Sequence, residues 1–164
     1  MRLRSRASNE RGSVLMLVPA GFLILVTLAA LAVDSANDYL AQQRLHDSLA
    51  AAANDAVTAG LSNQTFYSAG AVSIDSGAAG RVVCLTVAAQ SDQELRGLQL
   101  RMAVNRTAVR LQGTATVDAV FGRAIPGFGR RHVTAEVQAV VTGRALTAPD
   151  QATQPAPLAP LICP

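Results

Sequence analysis

The sequence predicts an α+β protein in which a long N-terminal membrane-spanning helix continues into an amphipathic helix, packed on a small three-stranded antiparallel sheet. Three observations carry this reading. Residues Val14 to Val33 contain no Asp, Glu, Lys, Arg or His; the next segment, to Gly60, is alanine-rich and free of internal Gly and Pro; and three later segments alternate apolar and polar residues. The chain then divides into a basic tail (1–13), a transmembrane helix (14–33), an extracytoplasmic α+β domain (34–147) and a Pro-rich flexible tail (148–164).

The apolar run comes first. At about 1.5 Å rise per residue, its length as a helix matches the roughly 30 Å hydrocarbon core of a bilayer. Twelve of its residues are Val, Leu, Ile or Phe, and their insertion free energies sum to about −4 to −7 kcal/mol before discounting Pro19, Gly21 and Thr27. Pro19 loosens the first turns, which a membrane helix tolerates. Val14, Pro19, Gly21, Phe22 and Val33 mark the span. Arg2, Arg4, Arg6 and Arg11 precede it, whereas Asp34 and Asp38 follow. Positive charge stays cytoplasmic, so the expected placement is a single pass through the cytoplasmic (inner) membrane, N-terminus inside and C-terminal domain outside.

Two processing events compete with an intact anchor. Ala30-Leu31-Ala32 has the small-x-small form that signal peptidase accepts, and a cut after Ala32 would leave Val33 first. The run is longer than a usual signal core and the helical pattern continues beyond the cut, which favours retention. Gly12-Ser13 invites comparison with a prepilin site, where the cut follows Gly and spares the helix. Such sites carry Glu at the fifth mature position; here that residue is Leu17, and the nearby acid Glu10 precedes the Gly.

Beyond the span, Leu45, Leu49, Ala52, Ala53 and Ala56 recur with helical spacing and give one apolar stripe. The span and this segment are expected to form one rod of about 45 residues, roughly 70 Å long, ending at a left-handed Gly60 cap. Residues 75–90 read either as a helix capped by Asp75 or Ser76, the favoured reading, or as a buried strand through Val82–Val87. Alternation then places Leu98, Leu100, Met102 and Val104 on one face of a first strand. It places Val109, Leu111, Ala115, Val117, Ala119 and Phe121 on one face of a second, and Val133, Ala135, Val137, Ala139 and Val141 on one face of a third. A sheet with one dry and one wet face is most easily antiparallel. Asn105-Arg106 is expected to turn the first hairpin, and the tail after Arg144 is too proline-rich for regular structure. Cys84 and Cys163 permit one disulfide, but a buried free thiol at Cys84 is as compatible with its apolar surroundings.

Charge and motif content narrow the chemistry. The net charge of +3 lies wholly in residues 1–33, and residues 34–164 balance ten Arg against ten acids. No basic surface remains in the domain to suggest nucleic acid. His46 and His132 stand alone, without HxxxH, HExxH, CxxC or GxSxG, and "GFGRR" lacks a phosphate-loop pattern. The expectation is a non-enzymatic protein with no cofactor, metal or small-molecule substrate.

The stretches "ERGSVLML", "LAVD", "NDYLAQQRLHDSLAAAANDAVTAG" and "VRLQGTATVDAVFGRAIPGFGRRHVTAEVQAVV" together resemble the TadE/TadG-like family of the tight-adherence (Flp) pilus assembly system, in particular its TadG-like branch. That family's helix ends Ala-Val-Asp, matched by Ala32, Val33 and Asp34, and its Ala/Asp-rich stretch ends Ala-Gly, as Ala51 to Gly60 does. This chain departs in a longer spacing from Asp34 to Leu49 and in lacking Glu after Gly12. The resemblance implies a pilin-like fold and a structural or accessory role in assembling a surface pilus or related secretion apparatus. The implied partners are the membrane and other pilus-assembly or pilin subunits, met through helix packing. The alternative is a secreted, envelope-associated binding protein cleaved after Ala32.

Overall fold

The computed structural model describes residues 11–70, 72–90, 95–124, 129–141 and 156–163. Helix α1, Arg11–Ala59, is unbroken over 49 residues and runs through Pro19, a length of about 73 Å. From Phe22 to Ala59 the sequence has neither Gly nor Pro, so nothing interrupts the i to i−4 ladder. Gly60 does end α1, but not as a left-handed cap: the positive-φ glycines among the described residues are Gly70 and Gly97. Gly60 is required for space instead. A Cβ there would lie 2.4 Å from the Ala56 carbonyl oxygen, with Ile74 and Ala79 also crowding it.

A short helix α2, Asn63–Ala69, leads to α3, Ser76–Gln90. Residues 75–90 are therefore helical rather than extended. Asp75 caps the first turn, its Oδ1 accepting the Ala78 N–H at 2.6 Å. Ala79, Gly80, Val83 and Val87 recur on its buried face.

Four strands, β1 Arg96–Val104, β2 Ala108–Asp118, β3 Arg130–Val140 and β4 Ala159–Leu161, form one antiparallel sheet in the order β3-β2-β1-β4. β2 and β3 follow the alternation, with Val109, Leu111, Ala115, Val117, Val133, Ala135 and Ala139 buried in one core; from β1, Leu100 joins them and Leu98, Met102 and Val104 are partly buried against it. The expected three-stranded sheet is corrected by β4, which lies in the segment read as flexible tail. Leu100 pairs with Leu161 and Met102 with Ala159. Pro160, lacking an N–H, is tolerated because β4 is an edge strand. Phe121 is a second correction. The strand ends at Asp118 and the chain enters a 3-10 turn at Gly122–Ala124, so the alternation lapses and Phe121 is half exposed. A third is Ala103, expected on the wet face yet buried; it shares a hollow with Arg110, Gln138 and Ala156, so the chain entering β4 shields it.

Both longer helices cover the same sheet face. The upper half of α1 packs on β2, β3 and α3, while α3 approaches the β1–β4 side, where a Cβ on Gly80 would meet Leu161 and Met102 at 3.4 Å. α1 packs directly over Gly113 in mid-β2: a Cβ there would lie 3.0 Å from Leu49 Cδ1 and 3.3 Å from Leu45 Cδ1. The core begins on α1 at Ala41 and, among the described side chains, includes nothing from residues 17–40.

Candidate functional site at the end of the apolar run

The lower part of α1 projects from the domain. Its large apolar side chains from Leu17 to Val33, Phe22 among them, are 47 to 69 % exposed, and the helix contains a window of mean hydropathy 2.2. Such a continuous apolar surface is unfavourable in water and suited to hydrocarbon. Thr27, the hydroxyl within it, donates to the Leu23 and Ile24 carbonyls, so this hydroxyl is not left unpaired for lipid to meet. A Cβ at Gly21 would have nothing within 4 Å. The structure thus has one long apolar N-terminal helix able to span a membrane.

Where this surface ends, the domain is fastened to the helix. Asp34 is 6 % exposed. Its Oδ1 accepts the backbone N–H groups of Val120 at 2.9 Å and Phe121 at 3.0 Å, and its Oδ2 accepts that of Gly122 at 2.9 Å. Three converging donors are what a buried carboxylate needs in place of water. The Phe121 N–H foremost, then those of Gly122 and Val120 and the charge of Arg131, hold the carboxyl below its ordinary value of 3.8, against the opposing effect of burial. One turn on, Asp38 Oδ2 pairs with Arg131 at 2.9 Å. Asn37 and Gln42 reach the Asp118 and Thr134 carbonyls at a long 3.5 Å each. Asp118 in turn meets Arg123 at 3.3 Å and Arg96 at 3.8 Å.

Comparison with protein-family models, curated proteins and solved structures finds no match.

The sequence-chosen residues fall into separate places. Arg2, Arg4 and Arg6 lie outside the described residues; Arg11, Gly12, Ser13 and Val14 form the first turns of α1. Pro19, Gly21, Phe22, Ala32 and Val33 all lie on the projecting helix. Asp34, chosen as a topology marker, binds the loop that follows β2. Cys84 on α3 and Cys163 just past β4 are joined, with Cα atoms 5.4 Å apart; the free-thiol reading of Cys84 falls away. His46 is exposed beside Asp47 at 3.6 Å. His132 meets the Thr116 hydroxyl at 3.3 Å on the wet face, where Thr114 also meets Thr134 and Arg110 pairs with Glu136. Among the described residues, no three His, Cys, Asp or Glu side chains gather as metal ligands would. Sequence reasoning missed the Asp38–Arg131 pair and the backbone clamp on Asp34. The clamp's donors are main-chain groups, which leave no residue signature. Charge order along the chain hinted only that Asp34 closes the span.

Proposed function

We propose that this chain is a non-enzymatic, membrane-anchored structural or accessory subunit for assembly of a Flp/Tad-type pilus or a related secretion apparatus. The observation that carries the reading is the single helix α1, whose lower part is apolar and bare while its upper part is core to an α+β domain. Such a rod joins a membrane to an outer domain without a flexible link, and the Asp34 clamp keeps the domain upright on it. The likeness of "LAVD" and the Ala-rich segment to TadE/TadG-like proteins supplies the system. Gly21, Ala29, Ala30 and Ala32 on the bare helix suit close packing with the helices of other subunits.

In this reading the N-terminus is inside, the domain is outside the inner membrane, and α1 remains uncut. Deleting the gene should abolish or strongly reduce surface pili, and wild-type piliation in the deletion strain would reject the role. The mature N-terminus separates the alternatives: Met1 for the intact anchor, Ser13 for a processed pilin, and Val33 for the secreted binding protein that Ala30-Leu31-Ala32 would permit.

A further inference from the structure

The loop that Asp34 holds is itself apolar. Val120 and Phe121 are 54 % and 51 % exposed, although their own N–H groups are bonded to the Asp34 carboxylate at 2.9 and 3.0 Å. Asp34 directly follows Val33, the last residue of the apolar run. Two uncovered apolar side chains are thereby fixed one aspartate side chain away from the point where α1 leaves the hydrocarbon. Any bilayer that surrounds Leu31 and Val33 must reach the level of this loop. The flanking cations agree with such a surface. Arg123 is two-thirds exposed even while paired with Asp118, and Arg130 is exposed at the start of β3.

We infer that residues 120–123, which follow β2, are a second membrane contact, a foot that seats Val120 and Phe121 in the interface of an anionic bilayer with Arg123 and Arg130 among its headgroups. This rests on α1 being the span. An aromatic ring and an aliphatic side chain beside basic residues suit the interfacial zone, where apolar groups enter about 5–10 Å below the headgroups. A helix alone leaves the domain free to rotate and tilt about its exit point. A helix and a foot make two attachments, which set the sheet's orientation to the membrane.

The chain contains no Trp, so single Trp substitutions are clean reporters in the full-length protein. F121W, F22W and Y67W are reconstituted in phosphatidylcholine–phosphatidylglycerol vesicles carrying lipids brominated at shallow or deep positions. Tyr67 is 85 % exposed on α2, beyond the far end of α1. F22W is expected to be quenched by deep bromines. F121W should be blue-shifted and lose severalfold more emission to shallow bromines than Y67W does. If F22W is quenched while F121W matches Y67W, the foot is refuted and the span stands. If F121W is blue-shifted but escapes every bromine, protein covers the loop instead, and the inference is equally overturned. If F22W also escapes quenching, the span reading fails and the foot with it. V120W repeats the measurement should F121W misfold.

Discussion

At the scale of single residues, Asp34 carries the sharpest consequence. Its carboxylate accepts three backbone N–H groups and its pKa is depressed in the folded protein. A depressed carboxyl contributes stability that is full above the unfolded value and is lost as pH falls through the folded one. Asp34→Asn keeps the shape but not the charge, and its NH2 group faces N–H donors. The variant should melt below wild type at neutral pH, and the gap should narrow as pH drops below about 3.8, the ordinary value of the unfolded carboxyl, towards the lower value at which the folded carboxyl protonates. A gap independent of pH in thermal melts would show that charge is not what Asp34 supplies. Gly113 makes a different prediction because its constraint is steric. A Cβ would press on Leu49 at 3.0 Å and Leu45 at 3.3 Å, and both leucines are fully buried. Gly113→Val should therefore cost about 1–3 kcal/mol by overpacking, read as a lower denaturation midpoint, with Gly113→Ala falling between.

At the scale of elements, much of the fold was legible because it is periodic. The stripe from Leu45 to Ala56 is buried as its spacing requires, and the alternation in β2 and β3 selects their dry faces. Residues 75–90 were ambiguous because Val82 to Val87 suits either a helix or a buried strand; the Asp75 cap and the small residues Ala79 and Gly80, facing a crowded layer, decide for helix. β4 was illegible for a stronger reason. Three residues cannot specify a strand, and Pro160 argues against one, so its formation depends on partners about sixty positions away and on Cys163. That dependence is measurable. The disulfide closes a sequence separation of 79 residues; chain-entropy reasoning sets its upper end at about 4.5 kcal/mol, and disulfides typically contribute roughly 2–4 kcal/mol. Cys163→Ser should lower stability by about that amount and reduce amide protection along β1, while β2 and β3 retain theirs. Unchanged β1 exchange would mean that β4 holds without its covalent tie.

At the scale of the whole molecule, α1 performs two tasks that divide at one residue. Among the described side chains, none from residues 17–33 belongs to the core, which starts on this helix at Ala41; between the two stretches lie the polar anchors Asp34, Asn37 and Asp38. The apolar part is therefore expected to be dispensable for folding, and loss of the clamp to lower stability. A chain of residues 34–164 should be soluble, form the Cys84–Cys163 bond and melt close to the full-length protein in detergent. A chain of residues 41–164 keeps every core side chain but loses the acceptor for the Val120, Phe121 and Gly122 N–H groups and the partner of Arg131. It should melt markedly lower, with the β2–β3 connection exchanging its amides fastest. Equal melting of the two truncations would place the fastening above Ala41 and leave Asp34 as no more than the charge that ends the span. Insolubility of residues 34–164 would mean instead that the domain leans on the bare helix or on the bilayer itself. The comparison thus separates a domain that folds alone and is merely moored from one that the membrane completes.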